Sequence, residues 1–115
     1  MDRYFGTEPD GLLGNDDAGT LSAWFVFSAM GFYPVTPGLA EYRLCSPLFE
    51  RITINLSERH HAGDAFVIDA SGNTPDTPSV REASLDSGPL AAPVRSHTAI
   101  TRGGTLRLQM SATPE

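Results

Sequence analysis

The 115-residue sequence contains no lysine, and its eight basic residues are all arginines that form no cluster. The formal net charge of −6 argues against a nucleic-acid partner, because phosphate binding needs grouped cations. A single cysteine cannot form an internal disulfide, which excludes a disulfide-stabilised extracellular scaffold. The chain also lacks a glycine-rich phosphate loop, a nucleophile-elbow serine and a paired-cysteine metal motif. What remains is a small domain with a modest core.

Neither a membrane span nor a signal peptide is predicted. Residues 18–40 carry no charge, but Gly19, Gly31 and Pro34 interrupt them. About a dozen helical residues remain, whereas a membrane span needs roughly 20. The sequence does not begin with a basic region followed by an apolar run, so we expect no signal peptide and no membrane partner for this chain.

The most informative segment, residues 11–33, reads GLLGNDDAGTLSAWFVFSAMGFY. It places Asp16 and Asp17 between glycines and directly before a long aromatic run. One interpretation is that an acid caps the following helix, because its oxygen can accept the free N–H groups of the first turn. The other is a catalytic carboxylate or cation ligand, with Asn15 offering a further oxygen and the glycines admitting a sugar or cation.

The aromatic run predicts a helix over residues 19–30. Gly31 suits the end of a helix, and Pro34 prevents its continuation. This helix is apolar on nearly every face, so it needs partners on nearly every face. We therefore expect that the chain is a piece of something larger or that it oligomerises through this exposed aromatic helix.

The rest of the sequence has the period-two pattern of β-strands. Residues 51–56 and 105–110 alternate between apolar and polar side chains, as half-buried strands do. Weaker strands are predicted over residues 41–44, 65–69 and 80–85. We therefore predict an α+β fold in which one long apolar helix is followed by a small antiparallel β-sheet or sandwich.

The remaining candidate residues favour structural roles. His60, His61 and Asp64 could suggest a metal site, but no Cys or further His lies close in sequence, so a solvated turn is the better interpretation. His97 is expected to be a structural hydrogen-bonding residue. Cys45 is expected to be a small buried apolar residue rather than a nucleophile, because no base lies near it in sequence.

Three segments carry a resemblance to a known family. Residues 10–37, DGLLGNDDAGTLSAWFVFSAMGFYPVTP, resemble the signature near the C-terminus of glycoside hydrolase family 92. Residues 45–50, CSPLFE, and residues 97–110 resemble motifs that follow it in the family, in the right order. The first motif is highly specific, and the resemblance covers nearly the whole chain. Ala18 stands where the family more often has cysteine, which is a mild departure.

The resemblance implies an exo-acting, calcium-dependent α-mannosidase that inverts configuration and acts on α-1,2-linked mannose of N-glycans or mannan. Such enzymes combine an N-terminal β-sandwich with an (α/α)6 barrel, and the parent protein is expected to be an exported bacterial protein. On this basis residues 1–37 are the end of the catalytic barrel, with the GNDD motif and the last long helix. Residues 38–115 are then a C-terminal β-rich subdomain.

The resemblance also implies roles for the acidic pair. An inverting glycosidase needs a general acid and a general base roughly 6.5–9.5 Å apart, so adjacent Asp16 and Asp17 cannot comfortably fill both roles. The family's acid is a glutamate in an upstream motif; Glu8 lies outside any such motif and is not assigned that role. Asp17 is then the catalytic base, Asp16 assists the base or the calcium shell, and Asn15 binds substrate. The calcium ligands are not identified, and the isolated chain is expected to be inactive.

An alternative function belongs to another class. The chain could be a non-catalytic β-rich domain that binds carbohydrate or another protein, with the aromatic helix as its partner surface. Activity of a longer protein that contains this chain, and the oligomeric state of the chain alone, would discriminate the two.

Overall fold

A computed structural model describes residues 4–86, 88–90 and 94–113 and shows a mixed α+β fold. A 3₁₀ turn over Asp17–Gly19 leads into helix α1, Thr20–Met30, and a one-turn helix α2 spans His97–Thr101. The strands of this part of the chain are β1 (Phe32–Tyr33), β2 (Glu41–Leu44), β3 (Arg51–Asn55), β4 (Ala65–Asp69), β5 (Ser79–Leu85), β6 (Gly88–Pro89), β7 (Val94–Ser96) and β8 (Gly104–Ser111).

The strands form two sheets. The first has the order β1-β2-β7 and is antiparallel, and the second has the order β3-β4-β8-β5-β6. In the second sheet β4 and β8 run parallel, whereas the other neighbours are antiparallel. The prediction of an antiparallel sheet is therefore wrong for this pair. The physical reason is that alternation identifies a half-buried strand but contains no information about the direction of its neighbour.

One hydrophobic core joins the two sheets. Phe66 and Ile68 of β4 and Leu106 and Leu108 of β8 are almost fully buried, and Phe32 of β1 belongs to the same cluster. Ile68 and Leu106 lie opposite each other in the parallel register. Burial of one large apolar side chain contributes about 1.5–3 kcal/mol to the free energy of unfolding. Strands β4 and β8 therefore contribute most of the hydrophobic stabilisation of the fold.

Helix α1 is short, and the prediction of a long helix is wrong in this respect. It has 11 residues and ends at Gly31, which has a φ of 88°. A Cβ atom at this position would lie 3.0 Å from the Cys45 carbonyl oxygen, so glycine fits both the conformation and the close approach. The chain then turns directly into β1, which prevents a longer helix.

A cluster of rings joins α1 to the first sheet. Phe27 contacts Phe32 and Tyr42 with ring centroids 5.6 and 6.0 Å apart, and Phe32 contacts Tyr42 at 5.3 Å. Phe32 is thus buried. Parts of α1 away from this cluster remain open, with Trp24 38% and Val26 53% exposed.

Two further sequence predictions concern organisation. None of the helices within the described ranges is both long and apolar enough to cross a membrane. The division into residues 1–37 and 38–115 stays a prediction; across it, β1 pairs with β2 in one sheet.

Candidate functional site

The predicted site is a tight loop that precedes α1. Asp17–Gly19 form a 3₁₀ turn, and both Ala18 and Gly19 have left-handed backbone conformations, with φ of 53° and 77°. The residue at the N-cap position of α1 is Gly19 and not an aspartate, yet Asp16 accepts an N–H group of the first helical turn, that of Ser22, as the capping interpretation expects. The two left-handed residues turn the chain back on itself, and this turn brings Asp16 beside the first turn of the helix.

Asp16 interacts with Ser22, the third residue of α1. The Ser22 amide donates to Oδ1 of Asp16 at 3.0 Å, and the Ser22 hydroxyl donates to Oδ2 at 2.5 Å. The amide belongs to the first helical turn, where backbone N–H groups have no partner within the helix. The hydrogen bond from the Ser22 hydroxyl, with a smaller contribution from the Ser22 amide, lowers the pKa of Asp16. Asp16 is therefore held as an anion.

Asp17 has a different environment from its neighbour. Its residue is exposed, and its carbonyl oxygen accepts a hydrogen bond from the Thr20 hydroxyl at 2.5 Å. Within the described ranges no group donates a hydrogen bond to its carboxylate. Asn15 is exposed as well. Among the residues that the structure describes, the loop thus presents one carboxylate with donors, one without, and one amide within three consecutive residues.

The segment before the loop lies against α1. Phe5 stacks on Trp24 with ring centroids 5.7 Å apart and contacts Phe25 at 5.0 Å. This contact covers part of the aromatic side of the helix. Glu8 is exposed in a turn, where its carbonyl oxygen accepts from the amide of Gly11.

The other candidates are distributed away from this loop. His97 Nδ1 and the Tyr42 hydroxyl share a hydrogen bond of 2.9 Å, which is the structural role predicted for His97. Cys45 directly follows β2 and is exposed, so the prediction of a buried cysteine is wrong, because the strand ends one residue earlier. Partial desolvation nevertheless raises the pKa of its thiol. His60 and His61 lie in the β3–β4 turn with their rings 6.5 Å apart.

Side chains that could hold a metal ion are not clustered in the described residues. Nowhere in residues 4–86, 88–90 and 94–113 do three His, Cys, Asp or Glu side chains come close enough together to hold an ion. Calcium takes six to eight oxygen ligands. The described residues therefore contain no cluster of three such side chains, and calcium binding stays a prediction.

A groove of about 690 Å³ lies elsewhere, along β5 and β8. Asp69, Glu82 and Arg107 contribute polar groups to it, and Leu90 and Leu108 contribute apolar surface. Asp69 accepts hydrogen bonds from the hydroxyl and amide of Ser71 and lies 3.7 Å from Arg51. None of the residues that line the groove belongs to the acidic loop.

Residues 1–112 match the family described as the glycosyl hydrolase family 92 catalytic domain. The chain belongs to glycoside hydrolase family 92. No curated protein matches the sequence significantly.

Solved structures of the family are similar to this chain. The family GH92 inverting mannosidase BT2199 from Bacteroides thetaiotaomicron VPI-5482 is 41% identical, with a TM-score of 0.84 over 98% of this chain and 15% of that chain. The α-mannosidase BT3965 from Bacteroides thetaiotaomicron, in complex with mannoimidazole, is 33% identical, with a TM-score of 0.85 over 99% of this chain and 14% of that one. The family GH92 glycosyl hydrolase ccman5 is 30% identical, with a TM-score of 0.85 over 97% of this chain and 14% of its own. This chain thus corresponds to about one seventh of each relative.

Sequence reasoning missed Ser22. Its partner Asp16 lies six residues away, whereas the usual capping signals join residues three apart. The interaction depends on the left-handed turn at Ala18 and Gly19, and nothing in the sequence indicates that Ala18 adopts it. No spacing rule would have found this contact.

Proposed function

We propose that this chain is the C-terminal part of an exo-acting, inverting α-mannosidase that removes α-1,2-linked mannose from N-glycans or mannan. Its membership of family 92 and its likeness to a protein named as an inverting mannosidase support this proposal. The observation that carries it is the division of the acidic loop into a held and a free carboxylate. A base must have an oxygen available to water, and Asp17 satisfies this requirement.

Each residue of the loop then has a distinct task. The Asp17 carboxylate takes a proton from the water that attacks the anomeric carbon, while the bond to the leaving oxygen breaks on the opposite face of the sugar. Asp16 remains ionised and assists the base, and the Asn15 amide hydrogen-bonds a sugar hydroxyl. The general acid protonates the leaving oxygen; we assign it to a glutamate outside this chain, roughly 6.5–9.5 Å from the base. The chain alone is therefore inactive.

Calcium dependence is part of the proposal, and the described residues bring no three His, Cys, Asp or Glu side chains together that could hold the ion. We infer that the ion is bound mainly by other parts of the parent enzyme. No step of the mechanism above passes through it.

The remaining parts of the proposal concern the parent protein. Helix α1 is a late helix of an (α/α)6 barrel, residues 1–37 are the end of that barrel, and residues 38–115 are a C-terminal β-rich subdomain. The exposure of Trp24 and Val26 on different faces of α1 supports burial of this helix among other helices. The parent is an exported bacterial enzyme that acts on mannose-containing glycans.

The experiment compares two carboxylate variants in the full-length protein that contains this chain. Hydrolysis of an aryl α-mannoside is measured with calcium for the natural protein, for Asp17→Asn and for Glu8→Gln. We expect Asp17→Asn to lower kcat by roughly 10²–10⁴-fold, because it removes the proton acceptor. Glu8→Gln is the matched control and retains activity. Normal hydrolysis by Asp17→Asn would show that the base assignment is wrong.

A second candidate function, a non-catalytic interaction domain, is favoured by the exposed apolar side chains of α1, Trp24 and Val26. In that case the chain binds a protein partner, a second copy of itself or carbohydrate in the β5–β8 groove. Its oligomeric state, its binding of a hydrophobic dye and its binding of mannan test this candidate. A full-length protein that hydrolyses α-mannosides through Asp17 would exclude a purely non-catalytic role.

A further inference from the structure

We propose that Ser22 is a positioning residue of the acidic loop, because its amide and its hydroxyl together hold the Asp16 carboxylate and leave Asp17 as the free acid of the pair. This inference rests on the proposed function, since it explains why two adjacent aspartates have different tasks in one active site.

The geometry of the contact is specific. The amide reaches Oδ1 at 3.0 Å and the hydroxyl reaches Oδ2 at 2.5 Å, so each carboxylate oxygen of Asp16 has its own donor. One hydrogen bond would allow the carboxylate to rotate about that bond. Two donors on two oxygens fix both its place and its plane, as bidentate contacts to carboxylates do. Both of these donors belong to Ser22, and the Leu21 amide adds only a weaker contribution, so Ser22 mainly sets the orientation.

The backbone is arranged to make this contact. Ala18 has a φ of 53°, which is unfavourable for any residue with a Cβ atom, and Gly19 follows with a φ of 77°. Two contacts close over this turn: the Thr20 hydroxyl donates to the Asp17 carbonyl, and Ser22 donates to Asp16. Because both contacts enclose the same strained turn, they link the position of Asp16 to that of Asp17.

The consequence is that the two aspartates differ in their hydrogen bonding. Asp16 accepts two hydrogen bonds and is committed to the helix, whereas Asp17 accepts none from the residues that the structure describes. Loss of the Ser22 hydroxyl releases one oxygen of Asp16 and loosens the turn that carries Asp17. Small displacements of a reacting group have large effects on rate, so the base is expected to lose efficiency although it is chemically unchanged.

The first test examines the contact itself in the 115-residue chain. Hydrogen exchange of the Ser22 amide is measured in the natural sequence and in Asp16→Ala. We expect exchange to become about tenfold faster in Asp16→Ala, because that amide has no acceptor within the helix. The amides of the last turn of α1 serve as the internal control and keep their exchange rates. An unchanged rate at Ser22 would overturn the proposal.

The second test examines the role in the full-length protein. Ser22→Ala removes the hydroxyl but keeps the amide, Ser22→Thr restores a hydroxyl, and Ser28→Ala is the matched serine-to-alanine control in the same helix. We expect Ser22→Ala to lower kcat for an aryl α-mannoside about tenfold with little change in KM. Ser22→Thr recovers most of the loss, and Ser28→Ala has normal activity.

The outcomes separate this inference from the proposed function. If Ser22→Ala retains full kcat while Asp17→Asn does not, Ser22 is only a helix cap and the positioning role is wrong. An equal loss of kcat in Ser22→Ala and Ser28→Ala would also overturn it, because the effect would then follow from damage to the helix. If the natural full-length protein hydrolyses no α-mannoside, the proposed function fails and the positioning role fails with it. The exchange test would still show whether the contact exists.

Discussion

The first part of the chain, residues 4–49, and the second part, residues 50–113, differ in the burial of their large apolar side chains. Every large hydrophobic side chain that is exposed in the described ranges belongs to the first part, namely Tyr4, Leu13, Trp24, Val26, Val35, Leu39, Leu48 and Phe49. The buried core lies mainly in the second part, in β4, β8 and α2. In the second part the large apolar side chains pack against one another, whereas in the first part several of them remain exposed and could be covered by another part of a larger protein. The acidic loop is in the first part, where the proposed remainder of the enzyme would also meet it.

The largest expected effect compares two aliphatic side chains, one in each part. Ile68 is 1% exposed in β4 and Val26 is 53% exposed on α1. We expect Ile68→Ala to lower the free energy of unfolding by about 2–5 kcal/mol, through lost burial and a cavity. Val26→Ala changes it by less than about 0.5 kcal/mol, as is usual for exposed positions. Urea unfolding measures both, and Ile68→Val provides a milder variant. A loss at Val26 as large as that at Ile68 would show that α1 is packed against something in the isolated chain.

A smaller effect concerns alanine-to-glycine changes in the first part. We expect such a change to raise the free energy of unfolding in the strained turn and to lower it inside α1. Ala18→Gly relieves a left-handed alanine and is expected to stabilise the chain by about 1 kcal/mol. Ala23→Gly, inside α1, is expected to destabilise it by a similar amount, because glycine is a poor helix former. Thermal or urea unfolding of the two variants measures the difference. Destabilisation by Ala18→Gly would mean that residue 18 does not adopt this conformation in solution.

The smallest effect concerns Asp69, which like Asp16 accepts hydrogen bonds from a serine. The Ser71 hydroxyl, followed by the Ser71 amide and the charges of Arg51 and Arg107, lowers the pKa of Asp69 in the folded chain. Its contribution to stability is therefore fully present above the unfolded-state pKa of about 3.9. It is lost as the pH falls through the lower folded-state value.

Asp69→Asn removes this contribution at neutral pH. We expect the variant to have a lower Tm at pH 7 and a smaller further loss of Tm on acidification than the natural chain. Asp76→Asn, at an exposed turn position, is the control and should follow the natural chain. Parallel Tm curves for Asp69→Asn and the natural chain would contradict this account of Asp69.

The sequence was sufficient to predict much of this structure where the signal was local. Alternation predicted β3 and β8, because one face of each strand is buried, and Gly31 correctly predicted the end of α1. Strands of two or three residues, such as β1 and β7, are too short to show a period. The parallel pairing of β4 with β8 depends on the path of the chain between them, which no local pattern contains.

The same distinction applies to the candidate site. Asn15, Asp16 and Asp17 were found because they are adjacent in one motif. Their separate environments were not predicted, since the contact of Asp16 with Ser22 requires a left-handed alanine that sequence rules disfavour. Sequence therefore pointed to the loop as a candidate site, and only the three-dimensional structure distinguished the surroundings of its two acids.

The central claim is that this chain holds one half of an active site whose other half lies in the rest of a family 92 enzyme. The most direct test measures α-mannoside hydrolysis, under the same conditions with calcium, by the 115-residue chain and by the full-length protein. We predict that the full-length protein is active and that the chain alone releases no mannose, even at high concentration. Hydrolysis by the chain alone, sensitive to Asp17→Asn, would contradict the account, because it would place a complete acid and base within these residues.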